Sequence, residues 1–330
     1  MFKRLLVPLD GSPLAEQSLG QAAALARATG AEIDLVTVHR AAYDGYGEAP
    51  VNDAQWNSEH RYLEAVASDL ATGASLRVSH SMLTGDPEEM ICRRAADTNA
   101  DLIVITSHGR TGFSRTWFGS VADGLVRRST APVLILRPIA GDARRSAAHH
   151  LFNHLLVPLD GSALAAGILP TVVDLARCGN ARITLLGVVQ PIPTATYEPV
   201  SLLPFPILTR DDSVTNELVA AARAELTELS SRLSAEGAGS IEAQVVVAGN
   251  IAQGIVEFAR SHDVDLIAIS THGRGTSSYF VGNVADKVLR ASGLPMLLRR
   301  SAPAAKSDSV TMSVGVPHVA DPSLPWDSRR

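Results

Sequence analysis

Residues 5–12 read LLVPLDGS, and residues 155–162 read LLVPLDGS again, 150 residues further on. A short apolar run stopped by Asp-Gly reads as a buried strand and its turn. Working outward, the same order of landmarks recurs in both halves of the chain. Asp101-Leu102-Ile103 returns as Asp265-Leu266-Ile267, and Ser107-His108-Gly109-Arg110 as Thr271-His272-Gly273-Arg274. Val121-Ala122-Asp123 returns as Val284-Ala285-Asp286, and APVLILR at 131–137 returns one residue shorter as LPMLLR at 294–299. A period near 150 residues is too long for a solenoid and marks a duplicated domain. The expected organisation is one domain over 1–138, a linker over 139–151, a second domain over 152–300, and a disordered tail over 301–330.

Each copy alternates strand and helix. In the first, strands are predicted over 4–9, 33–38, 76–83, 102–106 and 133–137. Ser12 fits an N-cap and Pro13 the first helical position, with the helix running to about Thr29 and Gly30 ending it. Further helices are predicted over 54–71, ended by Gly73, and over 87–98 and 121–128. The second copy repeats the series at 155–159, 163–177, 182–189, 213–235, 241–248, 251–262, 265–270, 282–291 and 295–299. Pro170 lies inside the second of these segments, so that helix should kink or start late. Continuously apolar strands alternating with helices imply an α/β fold: a parallel sheet covered on both faces and joined by right-handed crossovers. Five strands and four helices per copy make an open doubly wound domain. A strand order of 3-2-1-4-5 would open a ligand crevice between strands one and four.

The 330 residues are 46% apolar and 19% charged, with net charge −5 and pI near 6.1. That balance excludes a broadly basic nucleic-acid binder. No apolar run approaches the ~20 residues that cross a bilayer, and no apolar h-region follows Met1-Phe2-Lys3-Arg4. Cys92 and Cys178 are the only cysteines, which excludes a disulfide-stapled scaffold and a four-cysteine zinc site. A cytoplasmic protein is expected.

Two segments face the expected crevice: Pro8-Leu9-Asp10-Gly11-Ser12, and Thr106-Ser107-His108-Gly109-Arg110 through Gly119-Ser120. Gly109 lets backbone approach a ligand, and Gly119-Ser120 opens a helix whose free N–H groups suit an anion. Arg110 adds a charge-assisted contact. Asp10 could accept from a ribose hydroxyl, hold Mg²⁺ through water, or serve only as turn chemistry. A nucleotide would use these groups together.

The PLDGS strand ends, the Gly85-Asp86-Pro87 turn, the SHGR-to-GS segment and the closing APVLILR resemble the universal stress protein family, in both copies. Its ATP-binding branch carries G-x2-G-x9-G-[ST]. The first copy offers Thr106-x2-Gly109-x9-Gly119-Ser120, with Thr106 in place of the first glycine. The second offers Ser270-x2-Gly273-x8-Gly282-Asn283, one residue shorter and without the final hydroxyl. The resemblance implies a Rossmann-like domain of the adenine nucleotide α-hydrolase type. It implies adenine and ribose contacts around Pro8, Leu9, Asp10, Val38 and Gly85, and phosphate contacts at Gly109, Arg110, Gly119, Ser120 and Val121. The parallel set is Pro158, Leu159, Asp160, Val188, Gly249, Gly273, Arg274, Gly282, Asn283 and Val284, with Asp160 as the second candidate for Mg²⁺. The first copy is the better site. ATP, or AMP or ADP, is the implied ligand, in a stress-response or signalling role with at most slow hydrolysis. The resemblance also implies pairing of the two copies through their last strands and leaves a homodimer open.

A nucleotide-hydrolysing enzyme and a ligand-free dimerisation or scaffold module are the competing readings. Against the enzyme, the chain has neither a G-x4-G-K-[ST] loop nor a G-x-G-x-x-G turn. His108 and His272 read as loop residues bonding backbone rather than as proton-transfer groups, and His149, His150 and His154 as solvated rather than as a metal site across the linker. Both cysteines read as unreactive thiols. The Pro-rich segment 191–208 cannot be helical through Pro204 and Pro206. It reads as a lid on the second copy or as a contact surface.

Overall fold

The computed structural model describes residues 1–40, 53–107, 119–138, 151–196, 207–210, 212–272 and 283–301. The first half runs β1 (Arg4–Pro8), α1 (Gln17–Thr29), β2 (Glu32–His39), α2 (Asp53–Ala74), β3 (Val78–Thr84), α3 (Pro87–Asp97), β4 (Leu102–Thr106), α4 (Ser120–Arg128) and β5 (Val133–Leu136). The second runs β6 (His154–Pro158), α5 (Ala163–Ala166), α6 (Leu169–Gly179), β7 (Arg182–Val189), β8 (Pro193–Thr196), β9 (Ile207–Arg210), α7 (Asp212–Ala235), β10 (Ile241–Val247), α8 (Ile251–Ser261), β11 (Leu266–His272), α9 (Asn283–Ser292) and β12 (Met296–Ser301).

Within each half the neighbouring strands are parallel, in the order β3-β2-β1-β4-β5 and β10-β7-β6-β11-β12. This is the expected 3-2-1-4-5 winding, twice. The halves join where β5 and β12 pair antiparallel, with Leu134 opposite Leu297, so ten strands form one sheet. Its two faces are covered by separate apolar layers. Leu5, Val7, Ile33, Leu63, Leu134 and Leu297 belong to one, and Leu6, Ile103, Leu125, Ile135, Met296 and Leu298 to the other. Alternate residues of one strand feed opposite layers, as the pleat requires. Both layers run through the β5–β12 joint, so the halves share their core. Arg137 reinforces the joint, its guanidinium donating to the carbonyls of Leu289 and Leu294.

Several repeated residues are explained here by structure alone. Asp101 accepts the backbone N–H groups of Lys3 and Arg4 at 2.6 and 2.9 Å, tying the start of β4 to β1. Asp265 does the same for Asn153 and His154 at 2.7 and 3.0 Å. Asp123 pairs with Arg127, and Asp286 with Arg290, each one helical turn apart.

The structure corrects the sequence reading in three places. The α-helix after β1 starts at Gln17 rather than Pro13. Ser12 accepts the Ala15 N–H at 3.2 Å, but it caps only a turn, and three-residue bonds such as Ser18 N–H to Ala15 carry the chain into α1. Gly73 lies inside α2, and Ser75 is the residue with a left-handed φ of 51°. The described ends of the Pro-rich segment are non-helical, as expected, and pair antiparallel as β8 with β9. His154 is not solvated: it is 4% exposed, with Nδ1 at 2.8 Å from the His262 carbonyl and Nε2 at 2.8 Å from Thr184 Oγ1. Elsewhere Pro170 acts as expected, dividing α5 from α6 and standing in the first turn of α6. The linker 139–150 and the tail 302–330 lie outside the described residues, as do His108, His149 and His150.

Candidate functional site

The first half carries a cleft of about 340 Å³ at the carboxyl ends of β1, β2 and β4. From β1 and its turn come Pro8, Leu9 and Asp10. The turn has a local cause: Asp10 Oδ1 accepts the Ser12 N–H at 3.0 Å, and Gly11 adopts φ of 77°, which favours glycine. The carboxylate of Asp10 is therefore both a turn acceptor and part of the cleft wall. From β2 comes Val38, and from β4 comes Thr106.

Gly119, Ser120 and Val121 bring the start of α4 into the same cleft. Gly119 is the N-cap and supplies no side-chain acceptor. Among the described residues the N–H groups of the first turn thus have no side-chain cap, and they carry the positive end of the helix dipole. Two hydroxyls in the wall have no hydrogen-bond partner among the described residues: Thr37 Oγ1, on a residue 4% exposed, and Thr106 Oγ1, on one 5% exposed. Buried hydroxyls normally find partners, so this pair fits a polar ligand.

Gly85 does not line the cleft. Its φ of 136° and its N–H bond to the His39 carbonyl form the turn into α3, and Pro87 at the first turn of that helix reaches the wall instead. Gly109, Arg110, Gly273, Arg274 and Gly282 lie outside the described residues.

Sequence reasoning missed the opposite wall. Arg40, Gln55 and Glu59 line the cleft, with Thr37 beside them. Glu59 is fixed from two sides: Oε2 lies 2.8 Å from Nδ1 of His39, which is 2% exposed, and Oε1 accepts from Gln55 Nε2 at 2.8 Å. The ring of Trp56 meets His39 edge-on at 5.7 Å. The available signal was the polar Thr37 inside an apolar strand; α2 gave none, because its approach to β2 is tertiary. No histidine or cysteine lines the cleft among the described residues.

In the second half, Pro158, Leu159, Asp160 and Val188 occupy the matching strand ends. Asp160 Oδ1 accepts both the N–H and the O–H of Ser162, at 3.0 and 2.6 Å. Ser270, the counterpart of Thr106, donates to the Ala165 carbonyl at 3.2 Å. Gly249 accepts from Gln190 at 3.0 Å and precedes the N-cap Asn250, whose Oδ1 accepts the Gln253 N–H at 3.1 Å. Asn283 is the first residue of α9, and Val284 packs against the second apolar layer.

Comparison with known proteins adds the decisive observation. The model of the universal stress protein family matches residues 1–137 and 151–300. The chain belongs to the universal stress protein family. A universal stress protein of Thermus aquaticus, encoded in the 3′ region of a QAH/OAS sulfhydrylase, is 31% identical over 137 residues, 42% of this chain and all of that protein. A universal stress protein structure from Archaeoglobus fulgidus superposes with a TM-score of 0.66 at 18% identity, covering 91% of this chain and 98% of that one. A putative universal stress protein structure from Pseudomonas aeruginosa gives 0.58 at 17%, covering 91% and 94%. At those identities the structures speak for the shared fold. No described helix is long and apolar enough to cross a membrane.

Proposed function

We propose that this tandem universal stress protein binds one adenine nucleotide, ATP or its di- or monophosphate, in the cleft of its first half, and serves as a stress-response sensor or signalling protein of the cytoplasm. The observation that carries the reading is the convergence, on one cleft, of a helix start whose N-cap glycine has no side-chain acceptor and two buried hydroxyls without a partner among the described residues. Its volume of about 340 Å³ falls in the range of small-ligand sites. Apolar Leu9, Val36, Val38 and Ile91 offer a surface for a base. Asp10 would accept from a ribose hydroxyl or hold Mg²⁺ through water; one carboxylate together with ligand phosphates suits that ion. The amides of Ser120 and Val121 would face the phosphates, with Gly109 and Arg110 completing the grip. Two free cysteines agree with a reducing compartment.

Binding, rather than rapid turnover, is the proposed activity, because the described wall pairs no nucleophile with a base. Calorimetric titration of the full chain with ATP tests the reading. One site per chain that Asp10→Ala weakens supports it. No measurable heat or competition at millimolar ATP would return the chain to the scaffold reading.

A further inference from the structure

A second cluster of chemistry lies outside the cleft. His60 and Glu64 stand one turn apart on α2, and His80 stands on β3. His60 Nδ1 is 3.6 Å from Glu64 Oε2, and the rings of His60 and His80 are 6.1 Å apart at 65°. One ligand atom from each of the three lies within 4.8 Å of the others. The fold makes this meeting. Val78 and Met82 pack into the same apolar layer as Tyr62, Val66 and Leu70 of α2, and strand alternation puts His80 on their face. Leu63, fully buried beside Glu64, anchors the helix.

We infer that His60, Glu64 and His80 form a site for a divalent transition metal, Zn²⁺ above all. Two imidazole nitrogens and one carboxylate oxygen suit zinc, whereas Mg²⁺ and Ca²⁺ favour all-oxygen sets. Three protein ligands and one water complete a tetrahedron. Ligand atoms in such a tetrahedron lie ~3.4 Å apart. The side chains of His60 and Glu64 are 42% and 52% exposed, so they have room to rotate inward. A Glu–His pair one turn apart is ordinary on a helix; the second histidine, delivered from a strand twenty residues later, makes it a chelating set.

The second half provides an internal control. Aligning the buried pair Leu63 and Ala67 with Leu226 and Ser230 places Arg223 and Thr227 where the first half has His60 and Glu64. The strand registers place Ala243 opposite Leu185 as His80 is opposite Leu35. That trio offers no metal ligand set. β3 is the outermost strand at its end of the sheet, so the ion would staple an edge strand to the helix that covers it. The proposal is independent of nucleotide binding.

The test is titration of the EDTA-stripped full chain with Zn²⁺, without nucleotide, followed by calorimetry and thermal unfolding. Co²⁺ is used in parallel for its visible absorption. One Zn²⁺ per chain, a raised Tm and a tetrahedral Co²⁺ band are expected. His80→Ala should weaken binding more than about tenfold and remove the band, as should His60→Ala. His80→Gln, which keeps size and polarity, should lose the metal equally and keep the metal-free Tm. Equal zinc affinity and stoichiometry in wild type and both His80 variants, or no zinc uptake by the wild type, would overturn the assignment.

Discussion

The two halves share a winding but solve the same positions with different chemistry. At the middle of the second strand, the first half buries Asp34, 1% exposed, and clamps it with Arg94 of α3 through bonds of 2.8 and 3.2 Å. The second half has Thr184 there, bonded to His154. At the end of the fourth strand, Thr106 leaves its hydroxyl unpartnered among the described residues, while the Ser270 hydroxyl donates a hydrogen bond to the Ala165 carbonyl. Thr37 corresponds to Gly187, and a Cβ on Gly187 would stand 3.2 Å from Leu226. Leu136 corresponds to Arg299, which donates to the Gly167 carbonyl at 2.9 Å. The Ala165 carbonyl belongs to α5 and the Gly167 carbonyl to its C-cap, just before the break between α5 and α6. Duplication has thus kept the scaffold, while the second half spends its strand-end polar groups on its own backbone. The first half leaves Thr37 and Thr106 in the cleft wall with hydroxyls that have no partner among the described residues.

The comparison can be broken most forcefully at the buried ion pair. Arg94→Met strands the Asp34 carboxylate and should cost about 3–5 kcal/mol in urea unfolding; a loss under about 1 kcal/mol would show that the clamp is dispensable. Next comes the helix start. Gly119→Val should crowd the first turn of α4 and weaken ATP binding at least tenfold, about 1.4 kcal/mol, while circular dichroism stays unchanged; unaltered affinity would remove α4 from the site. Thr106→Val tests the hydroxyl contrast directly. It should lower ATP affinity by ~1 kcal/mol, whereas Ser270→Ala should leave affinity as it was. Equal effects of the two would erase the distinction between halves.

The smallest effect is a pH dependence confined to the second half. Burial lowers the pKa of His154 below its ordinary 6.5, and the nearby Arg182 charge lowers it further, against the opposing His262 carbonyl and Asp265. The unfolded chain therefore takes up this proton first as pH falls. The stability contributed is full above about pH 6.5 and declines below it. The urea midpoint should drop between pH 7.5 and 5.5, and His154→Gln should flatten the drop; the same slope in both proteins would acquit this residue.

Much of the fold was legible because its signals are local. Apolar runs bounded by Asp-Gly or Gly gave the ten sheet strands to within a residue or two, and the repeat gave the second half from the first. The switch point followed from the winding. Ser12-Pro13 misled because a good cap and a proline allow a helix start without enforcing one; the chain spends one more turn on three-residue bonds first. His154 misled because nothing near it in sequence announces Thr184 or the His262 carbonyl, both supplied by distant elements. The far wall of the cleft was hidden for the same reason, since Gln55 and Glu59 reach it only through the packing of α2. The repeated aspartates gave a strong signal with a structural meaning, as strand ties and helix pairs.

A crystal of the full chain grown with excess ATP examines the central claim most directly. The account predicts one nucleotide between β1 and β4 of the first half, with phosphates on the amides at the start of α4 and polar contacts at Thr37 and Thr106. Nucleotide bound in the second half alone, or a first cleft that stays empty at saturating ATP, would contradict it.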